Sequence, residues 1–181
     1  MIMPREKKEI KKEDIMPLDV YIKNRKELRK NIVSFKKDRR IALGPYATFY
    51  FESYETMLAQ VQEMLYIEKG GEEQLKDELT AYNPLIPNGK ELTATLMFEI
   101  DNPVSRSAFL SKVGGIEEKV FIKIDGESIK ASPEKDVDRT SAEGKASSVQ
   151  FIHFKLSEKQ IQKFKSDGAE VEIGIKQKEY S

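Results

Sequence analysis

The sequence predicts an α+β fold: a single domain with a mostly antiparallel (mixed) sheet and helices packed against it. Three observations carry this reading. The 181 residues, 39% of them apolar, suit one domain with a real core. Helical and alternating apolar periods both occur along the chain. Segments of alternating period often follow one another directly, which favours neighbouring antiparallel strands over a doubly wound fold.

Residues 1–13 are mostly charged and read as a flexible segment, leaving 14–181 as the domain. "LDVYIKNRKELRKNIVSFKKD" places Val20, Tyr21, Leu28, Ile32 and Phe35 at helical spacing, with a break expected near Asn24. "RRIAL" and "TFYFE" read as a hairpin turning at Gly44-Pro45. Ser53 is the expected cap of a helix from Tyr54 to Glu68, whose stripe is Tyr54, Met57, Leu58, Val61, Met64 and Leu65. Gly70-Gly71 breaks the chain before a second helix, Glu72 to Tyr82, that Asn83-Pro84 ends.

"KELTATLMFEID" alternates cleanly and is the clearest strand. Asn102 and Pro103 open a short helix. "EKVFIKID" and "ESIKAS" form a hairpin about Asp125-Gly126. Residues 132–147 hold little apolar material and read as a flexible polar loop. "SVQFIHFKL" is apolar on both faces, as a central strand would be. Ser157 with Gln160 makes a capping box for a helix to about Lys165, and "AEVEIGI" supplies the last strand.

Composition excludes several functions. The chain has no Cys, so disulfides, thiol catalysis and cysteine-ligated metal centres are absent from it. Its single histidine, His153, rules out a histidine-rich metal site within one chain. No apolar run is long enough to span a membrane, and the charged start lacks the apolar centre of a signal peptide, so a cytoplasmic location is expected. The 31 basic and 31 acidic residues cancel, which argues against nucleic acid as a partner. No phosphate-binding glycine loop or nucleophile elbow is present.

Three clusters remain. Glu68 falls in line with the Val61 stripe, while Glu72 and Glu78 flank the stripe of the next helix. If the chain reverses at Gly70-Gly71, these carboxylates converge, and Glu68, Glu78 and His153 become candidate ligands for a divalent metal. The wider candidate pocket is Gln60, Glu63, Glu68, Glu78, Tyr82, Asn83 and His153, set between the helical pair and the sheet with the loop 132–147 as cover. The plainer reading, which is favoured, puts Glu68 at a helix end in water, makes Glu72 an acid of the first turn, and makes His153 a hydrogen-bonded core residue. Tyr82–Pro87 is either a recognition edge or a stiff link. The segment from Lys23 to Arg40 is basic, with Arg25, Arg29, Lys36, Lys37, Arg39 and Arg40 as its patch. It would grip phosphates or an acidic protein partner, or else be a solvated helix face; no aromatic residues are interleaved as a stacking platform needs.

The segments "KKEDIMPLDVYIKNR", "RRIALGPYATFYFESYETMLAQVQEMLYIEKGG", "DELTAYNPLIPNGKELTATLMFEIDNP", "VGGIEEKVFIKIDG" and "DVDRTSAEGKASSVQFIHF" together resemble the bacterial DUF3501 family. The resemblance implies no assigned reaction. It implies, by gene association alone, support of a redox, oxidative-stress or iron–sulfur system. His153 matches a family histidine. Gln150 stands where the family pattern has another, and "IKQKEYS", with Gln177, stands where the family tends to an aspartate–histidine–proline run. A metal site built on those histidines would be lost or altered here, and the family pattern tends to continue beyond Ser181. The leading expectation is therefore a non-catalytic accessory or binding protein with a redox or iron–sulfur partner. The alternative is an enzyme with a carboxylate-based metal or acid–base site, and the third is nucleic-acid binding through 23–40.

Overall fold

The structure is a computed structural model that describes residues 7–134, 144–178 and 180. It is α+β with antiparallel sheets, as the sequence predicts. Its contacts group into two compact units: a helical unit, 1–40 with 52–88, and a sheet unit, 41–51 with 89–181.

In the helical unit, α1 (Leu18–Lys37), α2 (Tyr54–Glu68) and α3 (Gly71–Tyr82) follow the expected boundaries closely. The break expected near Asn24 does not occur. Asn24 is exposed, and its Nδ2 donates to Val20 O at 2.9 Å, so the amide is satisfied without disturbing the helix. Ser53 caps α2 by accepting from Thr56 N, and Thr56 Oγ1 accepts from Ser53 N at 2.8 Å, closing a capping box. Thr56 is fully buried and also donates to Glu52 Oε2 at 2.5 Å. Lys69 takes the left-handed conformation that ends α2, and Gly71, at φ 72°, lets the chain turn back so that α3 packs on α2. Leu85 and Ile86 beyond α3 are buried.

The segment expected to be flexible begins outside the described residues, at 1–6. Residues 7–13 are held instead of frayed: Ile10 is 1% exposed, and 12–14 form a 3₁₀ turn. The charge of this segment conceals a single apolar anchor.

In the sheet unit, one sheet was expected and two are found. β1 (Arg40–Leu43), β2 (Ala47–Phe51), β3 (Glu91–Phe98), β7 (Val149–Lys155) and the short β6 (Ser132–Pro133) form a sheet in the order β1-β2-β3-β7-β6. β4 (Val120–Ile124), β5 (Glu127–Lys130) and β8 (Val171–Ile175) form a second, ordered β5-β4-β8. Asp125 (φ 49°) and Gly126 (φ 79°) give the β4–β5 turn the two positive angles of a type I′ hairpin. Of the predicted loop 132–147, its start is β6, paired with β7, and 135–143 lie outside the described residues.

Register sorts the side chains. Leu96 faces Gln150, Ala94 faces Ile152 and Leu92 faces Phe154, so these share one face. That face joins Phe49 and Phe98, the inward residues of β4, Ile129 and Ile175, and Leu110 of α4 (Pro103–Leu110) in one apolar cluster. Each large member contributes about 1.5–3 kcal/mol relative to exposure. α5 (Glu158–Phe164) carries the predicted capping box and sets Phe164 against the cluster. Tyr180 pins the β1–β2 turn: its hydroxyl accepts from Ala47 N at 2.8 Å and donates to Leu43 O. Gly44, at φ 62°, leaves room for that ring, since an added Cβ would lie 3.0 Å from the Tyr180 oxygen.

Candidate functional site

The second face of the five-stranded sheet mixes polar side chains with Met97, Val149 and Phe151. It carries Thr93 and Thr95 on β3 and His153 on β7, with Thr93 opposite His153 in register and Ser132 opposite His153 on the other side. Thr93, Thr95 and His153 are buried. His153 Nδ1 lies 3.0 Å from Glu91 Oε2, and its Nε2 lies 2.7 Å from Glu134 Oε2. The three side chains are 11%, 9% and 16% exposed. Both ring nitrogens thus face a carboxylate oxygen, and the tautomer decides which of them donates.

The clamp also limits the site. Each carboxylate holds an opposite edge of the ring, so the three groups do not converge on one cation. Among the described residues, no group of three His, Cys, Asp or Glu is spaced to hold a metal ion. Residues 150 and 153 are three apart on one strand and project from opposite faces. Gln150 is fully buried on the core face, where its Nε2 donates to Ser147 O at 3.0 Å. A histidine there would not share a mononuclear site with His153.

The other candidates lie in the helical unit, so His153 is not in the same compact unit as the remaining six. Glu63 is bound to α1. Tyr21 Oη donates to its Oε2 at 2.7 Å, Arg25 Nε donates to the same oxygen at 3.1 Å, and Arg25 Nη2 pairs with Oε1. Arg29 reaches Oε1 at 3.6 Å, and the Arg25 guanidinium stacks 4.3 Å from the Tyr66 ring centroid. The Arg25 guanidinium holds the Glu63 carboxyl below its usual range, against the opposing effect of burial. Burial first, then the hydrogen bond to Glu63, pushes the Tyr21 hydroxyl up to about 12.

Glu68 and Glu78 do approach each other. Both accept from Gln74 Nε2, at 3.2 and 3.1 Å, so an amide donor bridges them. Glu68 is exposed, Glu78 is half-buried, and Glu72 is 83% exposed and paired with Lys12. Glu68 is the last residue of α2, two turns beyond Val61 on the same side. Gln60 Nε2 donates to Tyr82 Oη at 3.4 Å and joins α2 to α3.

Two amide side chains fasten the N-terminal segment. Asn83 Oδ1 accepts from Ile10 N at 2.8 Å, and its Nδ2 donates to Ile10 O at 3.1 Å. Gln62, which the sequence reading missed, does the same with Met16: Oε1 accepts at 2.9 Å and Nε2 donates at 3.1 Å. Each amide imitates one rung of a β-ladder. Two grooves, of about 570 and 470 Å³, flank the Lys12–Glu72 pair between this segment and the helices. Asn83 lines the first; Gln60, Glu63, Glu68, Glu78 and Tyr82 line neither.

The basic segment divides by face. Arg25 and Arg29 turn toward Glu63, and Arg39 lies 5.0 Å over the Phe35 ring. Lys36 and Arg39 are half-buried, while Lys37 and Arg40 are exposed. The exposed groove on α1 is lined by Lys26, Arg29, Lys30, Val33, Ser34 and Lys37, with a volume of about 430 Å³.

No helix among the described residues is long and apolar enough to cross a membrane. The family model of DUF3501, described as a protein of unknown function, matches residues 9–181. Among solved structures, the chain is similar to a novel protein of unknown function from Burkholderia pseudomallei K96243, at 34% identity and a TM-score of 0.87. The match covers 94% of this chain and 89% of that one. No curated protein matches.

Proposed function

The chain belongs to the DUF3501 family, and from that premise we propose that it is a non-catalytic accessory or binding protein serving a redox or iron–sulfur system. One observation supports the non-catalytic part: the side chains best suited to chemistry are engaged with one another. Both ring nitrogens of His153 face carboxylates, and both oxygens of Glu63 are held by α1. A general base needs a lone pair directed at substrate, and these arrangements turn it inward. The redox assignment rests on the gene association that the family resemblance implies.

The test is direct titration of the purified chain with a purified rubrerythrin and with a purified [4Fe–4S] ferredoxin, followed by calorimetry. Saturable binding of either supports the reading. Absence of binding to both, at low and at moderate salt, removes the redox assignment.

A second reading, a carboxylate-based metal site, is favoured by the approach of Glu68 and Glu78 to one Gln74 nitrogen. A cation there would displace the amide. Manganese that raises the melting temperature of the wild type but not of Glu68→Gln would support this site. No metal-dependent shift in either protein rejects it.

A further inference from the structure

α1 has two unlike faces. Tyr21, its one fully buried residue, marks the packed side, where Arg25, Leu28, Ile32 and Phe35 are half-buried. At 100° per residue, Ile22, Lys26, Lys30, Val33 and Lys37 fall on the opposite side. Ile22 is 51% and Val33 59% exposed, so two apolar side chains stand among the lysines of this face. Lys26, Lys30, Val33 and Lys37 follow one another at spacings of four, three and four, forming a continuous ridge along the groove. No ion pair among the described residues involves Lys26, Lys30 or Lys37, whereas Arg25 and Arg29 on the flank are matched by Glu63. Asp19 and Glu27 are also exposed on α1, so its exposed side keeps a net positive charge with Lys23, Lys26, Arg29, Lys30 and Lys37, although the whole chain is neutral.

We propose that this face of α1 is a docking surface for an acidic amphipathic helix of a partner protein. Carboxylates of the partner would pair with Lys26, Lys30 and Lys37, and an apolar stripe would cover Val33 and Ile22. This rests on the accessory-protein reading and names the surface that reading requires. Charge complementarity selects the sign of the partner. The apolar residues between the lysines select a helix with a hydrophobic stripe over a bare polyanion, because a phosphate chain would leave Val33 and Ile22 uncovered. No aromatic residue stands on the ridge to stack a base.

The probe is a fluorescein-labelled, helix-forming peptide with leucines on one face and glutamates beside them, read by anisotropy against the full chain. A peptide of the same composition, with the leucines scattered around the helix, is the control for charge alone. A single-stranded oligonucleotide of equal charge is the control for polyanion binding. The ordered peptide should bind saturably and more tightly as salt falls. Binding should weaken about tenfold or more in Lys26→Glu/Lys30→Glu and in Val33→Glu, and stay unchanged in Lys112→Glu. The substitutions at Lys26, Lys30 and Val33 lie at exposed positions of α1 and introduce a good helix former, and Lys112 is an exposed turn residue, so the fold is retained.

Four results overturn the proposal: no binding of the ordered peptide, equal binding of the scattered peptide, tighter binding of the oligonucleotide, or full affinity in both variants. If rubrerythrin or ferredoxin binds wild type and Lys26→Glu/Lys30→Glu equally, this surface fails while the accessory reading stands. If neither protein binds but the peptide does, the surface stands and the redox assignment fails.

Discussion

The two units of this chain are held together by different means. The sheet unit is built around one apolar cluster that draws on both sheets and α4. The helical unit has fewer fully buried apolar side chains, chiefly Ile10, Val61, Leu85 and Ile86, and relies on side chains that grip backbone or one another. Gln62 and Asn83 hold the N-terminal segment, and Glu63 joins α2 to α1. Alternating apolar strands make a core that tolerates little loss of volume. Polar clamps make contacts that can be cut one at a time.

The largest expected effect breaks the sheet unit. Phe154 is fully buried beside Phe51, with ring centroids 6.4 Å apart. Phe154→Ala should cost about 3–5 kcal/mol in denaturant unfolding, through lost transfer energy and the cavity left behind. Val61→Ala, the matched change in α2, removes fewer atoms and should cost less. Equal losses from the two would end the contrast between the units.

Next comes the clamp on the second face of the five-stranded sheet. His153→Gln keeps a side chain that can reach one carboxylate but removes the ring's contact with the other. A loss of about 2–3 kcal/mol is expected from the broken hydrogen bonding, measured by urea unfolding. Replacing Glu134 with Gln in the same background should add little further loss, since the ring it faces is already gone. If His153→Gln is neutral, the ring does not bridge the two carboxylates in solution.

Cutting an amide clamp should be milder and local. Gln62→Ala and Asn83→Ala should each cost about 1–2 kcal/mol. Limited proteolysis should show faster cleavage around residues 7–16, with hydrogen exchange in β3 and β7 unchanged. Slowed or unaltered cleavage would mean that the segment is held by Ile10 alone.

These contrasts also explain what the sequence made legible. The alternation of β3 and the Ser53 cap of α2 are local signals, and both elements formed as read. The paired glycines announced the turn between α2 and α3, and Lys69 and Gly71 supply its positive angles. The candidate site was read less well because its partners are remote. Glu91 meets His153 only through the β3–β7 register, across 62 positions, and Glu134 came from a stretch read as loop. Gln62 looked like a surface residue of α2 because the backbone it binds lies 46 positions away. Glu68 holds the last position of α2, and it approaches Glu78 only through the turn that follows.

The smallest effect, and the one that sharpens the comparison most, is the pH response of the α1–α2 contact. Glu63 titrates below its ordinary value of 4.5, chiefly because of Arg25, so its contribution to stability is complete above that value and is lost as pH falls through the folded one. Tyr21 titrates above its ordinary value of 10.0, at about 12, so its contribution is complete below pH 10.0 and is lost as pH rises toward 12. The contact should thus weaken at both extremes. Glu63→Gln keeps the length of the side chain but removes its charge. The stability gap between wild type and this variant should be visible at pH 7 and shrink as acid protonates Glu63, followed by thermal unfolding at a series of pH values. A gap that stays constant into acid would mean that Glu63 acts through packing, and the helical unit would then resemble the sheet unit more than its polar contacts suggest.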